Sequence, residues 1–229
     1  MKKRQVKGSS TREMIADVAV RLFSEHGYTG TTMRDIAEAV GVLPGSLYAH
    51  IESKETLLLE IVSDGIAQFL AIEQSLQASV DSPEARLRKA IRAHVDVVAE
   101  DPQRSLVVFH QWRFLSEPNR ASAVAMRRRY ANAFVKIVED GKSDGVFSPR
   151  LDTRITVFGI LGALNWIPEW YSDKGPASAE EIADKLAEAL IFGLREGPAW
   201  SQSGSGATPI RADRVLATRK RAAAAKSRV

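Results

Sequence analysis

Side chains that can donate hydrogen bonds to phosphate or to the edge of a base are concentrated between residues 31 and 54. Tyr48, His50 and Lys54 carry a hydroxyl, an imidazole and an ammonium group, which are donors suited to DNA phosphates. Arg34 carries a guanidinium, which can bind a guanine edge through two hydrogen bonds. Small residues before Tyr48 would let the backbone approach the floor of a groove. The candidate DNA contacts are therefore Thr32, Arg34, Pro44, Gly45, Ser46, Tyr48, His50 and Lys54.

Two short helices, predicted over 32–40 and 43–50, would position these side chains. Gly41 lies between them and can end the first helix, because glycine enters the left-handed conformation at little cost. Leu47 and Ile51 are spaced to anchor the second helix from beneath, which leaves its polar residues facing outward. This pattern is typical of a helix-turn-helix whose second helix enters a DNA groove.

Several of these residues also have a purely structural interpretation. Either Thr31 or Thr32 can cap the first helix, and a cap alone explains a threonine there. Arg34 can pair with Glu38, one helical turn away, instead of reaching DNA. Ala49 would either offer a methyl group to thymine or only avoid a clash. The sequence leaves these alternatives open.

The composition excludes several kinds of chemistry and of location. The chain has 229 residues and no cysteine, so disulfides, thiolate catalysis and cysteine-bound zinc are excluded. Apolar residues make up 45%, which is typical of a globular protein. No run approaches the roughly 18 uncharged apolar residues that a membrane span needs. The basic N-terminus has no apolar segment after it, so we predict no secretory signal and a cytoplasmic location.

The positive charge is concentrated at the two ends of the chain. The net charge is +4 at pH 7, yet residues 1–12 hold basic residues and no acidic one, and residues 197–229 are strongly basic. The body between them is net acidic. Basic ends attract a polyanion such as DNA, whereas an acidic body leaves only one surface free to approach it. The Ser-, Gly-, Ala- and Arg-rich tail is predicted to be disordered and to add non-specific attraction to phosphate.

Apolar residues at helical spacing predict an all-α fold with no strand. We expect nine helices, over about 11–26, 32–40, 43–50, 53–79, 84–100, 103–116, 119–141, 152–170 and 178–195. The sequence thus divides into a helix-turn-helix DNA-binding domain with a basic arm (1–52), a helical ligand-binding and dimerisation domain (53–196) and a basic tail (197–229).

No arrangement of residues typical of an enzyme is present. The chain lacks the nucleophile-elbow, zinc-protease and dinucleotide-binding motifs. Gly141-Lys142-Ser143 imitates the end of a phosphate-binding loop, but position 136 is Lys where the motif requires Gly, and no strand is predicted before it. The four histidines are scattered. We therefore predict no catalytic residues, no metal site and no cofactor.

The larger domain contains aromatic residues mixed with polar ones, as a small-molecule site requires. Core packing is the simpler explanation for each residue alone. Asn165 is the most informative, because a buried amide must find a hydrogen-bond partner in a ligand, another helix or a second subunit. The candidate ligand-binding residues are His94, Phe109, Trp112, Arg113, Tyr130, Phe134, Asn165, Trp166 and Trp170.

Two other features of this domain concern its surface. The segments 152–170 and 178–195 are too apolar for a lone monomer, and Gly159 and Gly162 would allow close helix approach across a two-fold axis. We therefore expect a homodimer with a four-helix interface. The basic run 127–129 lies on an amphipathic helix and is interpreted as a solvated face.

Over residues 11–58 the sequence resembles the TetR family of one-component bacterial transcriptional regulators. The residues that carry the resemblance are Gly27-Tyr28, Thr32, Ile36-Ala37, Gly41-Val42, Gly45-Ser46-Leu47-Tyr48, His50, Ser53-Lys54-Glu55 and Leu57-Leu58. Two positions depart from the pattern. Leu43-Pro44 stands where the family often has a polar pair, so one side chain that could contact a base is missing. Ile51 stands where the family often has Phe. The family implies a homodimer that binds a palindromic DNA operator and carries a small-molecule effector site in its C-terminal domain.

These observations favour a ligand-responsive repressor that is released from its operator by an apolar or amphipathic effector. The segment around Asn165-Trp166 and Trp170-Tyr171 resembles regulators of lipid or steroid catabolism that respond to acyl-CoA esters. The alternative is a non-specific, nucleoid-type DNA-binding protein driven by its basic ends. Such a protein would show a steep salt dependence and little sequence discrimination.

Overall fold

Helices make up the regular structure of residues 11–196, the part of the chain that the computed structural model describes. Nine α-helices and two short 3₁₀ turns follow one another in this range, without a strand, so the all-α prediction is confirmed there. They are α1 (Thr11–Gly30), α2 (Met33–Val40), α3 (Pro44–Tyr48), α4 (Lys54–Gln77), α5 (Pro83–Glu100), α6 (Pro102–His110), the first 3₁₀ turn (Trp112–Phe114), α7 (Asn119–Ser143), α8 (Thr153–Asn165), the second 3₁₀ turn (Ile167–Glu169) and α9 (Ala179–Glu196). Most of the predicted basic arm and the whole predicted tail lie outside the described residues.

The second helix of the helix-turn-helix is shorter than the predicted 43–50. It ends at Tyr48, and His50 lies in the following turn, where its N–H donates to the carbonyl of Leu47 at 3.0 Å. The early end has a local cause. Ser53 has extended backbone angles and its hydroxyl oxygen accepts a hydrogen bond from the N–H of Thr56, so the chain must leave the helical conformation before α4 begins.

Two other predicted helices are each divided by a 3₁₀ turn. The predicted helix 152–170 ends at Asn165, because Pro168 in the second turn has no N–H with which to continue an α-helix. The predicted helix 103–116 ends at His110, and the tighter turn that follows directs Phe114 onto α1. Apolar spacing does not distinguish a regular helix from one that tightens in its last turn.

One hydrophobic core runs through the described residues. In the helix-turn-helix region, α1 to α3 bury Phe23, Ile36 and Leu47 completely. The long helix α4 contacts α1 and also α5, α6 and α7, and therefore links this region to the larger bundle. In that bundle α5 packs against α9, and α7 packs against α4, α5 and α8. None of the described helices is long and apolar enough to cross a membrane.

Candidate DNA-contacting unit and effector cavity

The two threonines before α2 have different roles. The Thr31 side chain is buried and its hydroxyl lies 3.0 Å from the carbonyl oxygen of Gly27, so it helps to fix the end of α1. Thr32 is the cap: its hydroxyl oxygen accepts from the N–H of Asp35 at 3.2 Å, and the Asp35 carboxylate accepts from the N–H of Thr32 at 2.8 Å. These hydrogen bonds lower the pKa of Asp35. The Thr32 hydroxyl still has its own proton to donate.

The turn between α2 and α3 follows from Gly41. Its φ of 83° is left-handed, and its N–H donates to the carbonyls of Ala37 and Glu38. The chain then enters α3 at Leu43, whose side chain is 76% exposed. Sequence reasoning missed this exposed leucine, because it treats Leu43 only as the loss of a polar side chain that could contact a base.

The outer surface of this unit presents the predicted contact residues on the same short stretch of chain. Pro44, Gly45 and Ser46 are exposed at the start of α3, and Tyr48 at its end is 55% exposed. Arg34 is exposed on α2. No salt bridge of 4.0 Å or less joins Arg34 to Glu38 in the described structure, so its guanidinium is not held by the ion pair that was the alternative.

Lys54, another predicted phosphate contact, is held inside the unit. Its ammonium donates to the carbonyls of Tyr28 at 2.8 Å and of Thr31 at 2.7 Å, and lies 4.2 Å from the centre of the Tyr28 ring. Burial lowers the pKa of Lys54. The residue therefore joins the start of α4 to the end of α1, a role that its position in the sequence did not indicate.

A junction of named contacts links this unit to the bundle. The N–H of Tyr28 donates to the side-chain oxygen of Gln111 at 3.2 Å, and the Tyr28 ring stacks on Phe114 with 5.6 Å between ring centres. Nearby, the Glu55 carboxylate accepts from the N–H and hydroxyl of Ser116, and these hydrogen bonds lower the pKa of Glu55. Gln111 lies between α6 and the first 3₁₀ turn, and Phe114 is the last residue of that turn.

The same 3₁₀ turn borders a two-part cavity in the bundle. An inner cavity of about 50 Å³ is lined by Ile66, Phe69, Val108, Phe109, Arg127, Tyr130, Leu161 and Asn165. A wider cleft of about 490 Å³ is lined by Trp112, Val124, Arg127, Arg128, Ala131, Phe158, Leu161, Gly162 and Asn165. Three residues line both spaces and so mark where they meet: Arg127, Leu161 and Asn165.

The predicted ligand-binding residues divide into three groups. Phe109, Trp112, Tyr130 and Asn165 line the inner cavity, the cleft or both. His94 and Phe134 are buried behind Tyr130 in the core. The other three are exposed and line neither space: Arg113, Trp166 and Trp170.

Sequence reasoning missed Arg127 as a cavity residue. The run 127–129 was interpreted as a solvated face, and Arg128 and Arg129 are indeed exposed, but Arg127 is half-buried. One signal could have found it, because Arg127 lies three residues before the buried Tyr130, on the same helix face.

A polar pair lies beside the inner cavity. The Nδ1 atom of His94 is 3.0 Å from the hydroxyl of Tyr130, and both rings contact Phe69. Burial lowers the pKa of His94 to about 3 and raises that of Tyr130, so both groups are neutral at pH 7. The pair can take part in hydrogen bonding but adds no charge. Among the described residues, no group of three or more His, Asp or Glu side chains is placed to hold a metal ion.

Comparison with known proteins identifies the family. Residues 15–61 match the family model described as bacterial regulatory proteins, tetR family, and residues 80–194 match tetracyclin repressor-like, C-terminal domain. The chain belongs to the TetR family. This confirms the resemblance seen in the sequence, and the protein is a DNA-binding regulator of transcription.

Three known proteins are similar to this chain over most of their length. The HTH-type transcriptional repressor KstR2 of Rhodococcus jostii strain RHA1 is 30% identical over 196 residues, which cover 81% of this chain and 92% of the relative. The structure of AibR in complex with isovaleryl coenzyme A and operator DNA superposes with a TM-score of 0.72 at 28% identity, covering 80% of this chain and 98% of that one. The structure of KstR2 of Mycobacterium tuberculosis, at 24% identity and a TM-score of 0.77, covers 82% and 96% and shows the shared fold.

Proposed function

We propose that this TetR regulator is a homodimeric repressor that binds a palindromic operator and is released by a small apolar or amphipathic effector, for which an acyl-CoA ester is the leading candidate. One observation carries the proposal. A cavity with an apolar interior and a few polar groups lies against the same 3₁₀ turn that contacts the DNA unit. The similarity to a repressor and to a regulator crystallised with an acyl-CoA and operator DNA supports it.

In this proposal α3 enters the major groove. Tyr48, His50 and the free hydroxyl proton of Thr32 donate to phosphates, and Arg34 reaches a base edge or the backbone. The small residues Pro44, Gly45 and Ser46 allow the close approach. A phosphate contact by Lys54 remains part of the prediction, and it would use the one ammonium proton that the two internal carbonyls leave free.

We assign a further contact to Leu43. Its side chain is 76% exposed at the start of α3, on the surface that carries the other proposed contacts. In a major groove the apolar partner that a base offers is the methyl group of thymine. Leu43 would therefore favour a thymine in each half-site.

The proposed dimer interface is the apolar surface of α8, the second 3₁₀ turn and α9. Large apolar side chains are exposed there: Ile155 and Phe158, three residues apart on α8, Trp166 and Trp170 on either side of the second 3₁₀ turn, and Phe192 on α9. Gly159 and Gly162 leave the surface of α8 open, because nothing beyond their chain neighbours and the helix's own backbone lies within 4 Å of the position a Cβ would take. A second copy of the chain would cover this surface and place two recognition helices about 34–36 Å apart, one turn of DNA.

The proposed effector response passes through the first 3₁₀ turn. Trp112 lines the cleft, and Phe114, two residues on, stacks on Tyr28 of α1. A ligand that displaces Trp112 would move this turn and hence the DNA unit that Tyr28 belongs to. Because both units of a dimer must fit their half-sites together, a small change in their spacing is enough to lose the operator.

Genome-wide sequencing of the DNA that the protein occupies in its native cell tests this proposal. We expect a few sharp peaks over one palindrome. Broad occupancy without a shared motif would contradict the proposal and favour the nucleoid-type alternative. The operator found in this way can then be used in solution, where an effector of the proposed kind should lower its affinity for the regulator, and a ligand that raises the affinity would contradict release.

A further inference from the structure

Arg127 lies where the inner cavity meets the cleft. It extends from α7 and lines both spaces, together with Leu161 and Asn165. A ligand that has one part in each space would therefore pass its guanidinium. The side chain is half-buried, although the two arginines that follow it on the same helix, Arg128 and Arg129, are exposed.

The partners of Arg127 carry no negative charge. One guanidinium nitrogen donates to the carbonyl of Val108 at 3.3 Å, and the group lies 5.3 Å from the centre of the Trp112 ring. Within residues 11–195, no carboxylate oxygen comes within the 4.0 Å of an ion pair. Arg129 is the contrast, because it binds the buried carboxylate of Glu73 at 2.8 Å. Removing a guanidinium from water without an anion is unfavourable, so Arg127 lacks the partner that its environment calls for.

Further positive charge lies close to Arg127. Burial is the main cause that lowers the pKa of Arg127, and the neighbouring guanidinium of Arg113 lowers it further. Arg128 lines the cleft. Neither Arg113 nor Arg128 forms an ion pair with a carboxylate of the described residues. Three guanidiniums without counter-ions create a local positive potential that attracts an anion, and the planar guanidinium suits a carboxylate or phosphate group.

The inner cavity beyond Arg127 has the opposite character. Its walls include Ile66, Phe69, Phe109 and Leu161, and no charged side chain other than Arg127 lines it. The neutral Tyr130 hydroxyl, already paired with His94, is its other polar contribution besides Asn165. An apolar group fits this space, whereas a charged group fits only at its mouth.

We propose that the effector of this regulator is an anionic amphiphile, whose carboxylate or phosphate group is bound by Arg127 while its apolar part packs against the apolar walls of the inner cavity and of the cleft. This inference rests on the effector site described under the proposed function and adds the charge of the ligand and the residue that selects it. A fatty carboxylate and an acyl-CoA ester share this chemistry and differ in which anion meets the guanidinium.

Three probes with the same eight-carbon chain separate these cases: octanoate, octanoyl-CoA and the neutral methyl octanoate. Their binding to the full-length protein is measured by titration calorimetry, for the wild type and for Arg127→Gln, Arg127→Lys and Arg120→Gln. The last is the matched control, since Arg120 is an exposed arginine on the same helix that pairs with Glu117.

We expect at least one anionic probe to bind about tenfold or more tightly than methyl octanoate, the effect of a charge-assisted hydrogen bond. Arg127→Gln should weaken that anion about 10- to 100-fold and change the affinity for methyl octanoate less than about twofold. Arg127→Lys should keep most of the preference, and Arg120→Gln all of it. Preference for octanoate or for octanoyl-CoA tells which anion is recognised, and either one supports the proposal.

Two results would overturn the inference alone. Equal affinity for the neutral ester and both anions would show that the site does not distinguish an anionic ligand from a neutral one. An equal loss for all three probes in Arg127→Gln, with a lower melting temperature, would show that Arg127 is only structural. We expect the opposite, an unchanged or higher melting temperature, because the variant removes an unpaired charge. If the wild type binds none of the three probes, the proposed effector site itself is contradicted.

Discussion

Lowering the pH from 7 to 5 should weaken the folded state through His94. This side chain is fully buried on α5, between Phe69 of α4, Phe109 of α6 and Tyr130 of α7, and burial lowers its pKa to about 3. In the unfolded chain the imidazole titrates near its ordinary value of 6.5. Below that value the unfolded chain binds a proton that the folded protein does not bind.

The sign and size of the change in the free energy of unfolding follow from the pKa of His94 in the folded and unfolded states. At pH 7 both states are mostly neutral at this position, so the residue has little effect on the free energy of unfolding. As the pH falls through 6.5, stability is lost continuously until the folded imidazole itself is protonated near pH 3. Between pH 7 and pH 5 the loss is about 2 kcal/mol, from 1.36 kcal/mol for each unit of separation between the pH and the unfolded pKa.

Urea denaturation at the two pH values measures this loss, and a His94→Gln variant isolates it. Glutamine can still form a hydrogen bond with the hydroxyl of Tyr130 but does not titrate. Carboxylates with lowered pKa values, such as Asp81, act equally in both proteins and cancel in the comparison. Protein concentration is held constant, because a dimer gains stability with concentration. Equal losses of stability between pH 7 and 5 in the wild type and the variant would refute the conclusion that the folded protein keeps His94 buried and neutral.

Four further predictions concern single substitutions. Tyr48→Ala should weaken operator binding about tenfold or more in a fluorescence anisotropy titration, with an unchanged melting temperature; normal affinity would refute the role of α3. Phe158→Asp should yield monomers in analytical ultracentrifugation, and a persistent dimer would place the interface elsewhere. Phe114→Ala should leave calorimetric effector affinity unchanged but reduce effector-driven operator release, whereas full release would show that the first 3₁₀ turn does not transmit the response. Gly65→Ala should lower stability by about 1–3 kcal/mol in urea, because its Cβ would collide with Val108 on α6, and no loss would show that the helices separate freely.

The DNA unit was predictable from sequence because its signals are local. Thr32, Gly41 and Ser53 each act on the backbone within a few residues, as caps or as a left-handed turn, and the structure has each cap or turn at that position. The end of α3 at Tyr48 was not predicted, because it depends on what the next helix requires. Where one helix ends within a few residues of the start of the next, the position of its end depends on the hydrogen bonds that both helices require.

The cavity was only partly predictable, because its residues come from four helices distant in sequence. Phe109, Trp112, Tyr130 and Asn165 were found because aromatic and amide side chains are distinctive on otherwise apolar helices. Arg127 was missed because its neighbours in the basic run are exposed, and a run of like charges usually forms a solvated face. Only the three-dimensional fold, which brings Val108 of α6 and Leu161 of α8 to the first of these arginines, distinguishes it from the next two.

Lys54 illustrates a different limit. Its position at the start of a helix is typical of a residue that contacts a phosphate. No local pattern in the sequence indicates that its ammonium group lies within hydrogen-bond distance of the carbonyls of Tyr28 and Thr31. Those carbonyls belong to residues more than twenty positions earlier in the chain. An ammonium group on a flexible stem serves either role equally well, so its partner depends on the three-dimensional fold.

The most direct test of the account changes the spacing of the operator. Once the palindrome is known, its two half-sites are separated by five additional base pairs, half a turn of DNA, and the affinity of the wild-type protein is compared by anisotropy with that for the native palindrome and for a single half-site. A dimer with two fixed recognition helices should bind the altered duplex no better than a single half-site, since the second helix then faces the wrong side of the DNA. Undiminished affinity for the altered duplex would contradict binding by a dimer whose two recognition helices are held at a fixed spacing.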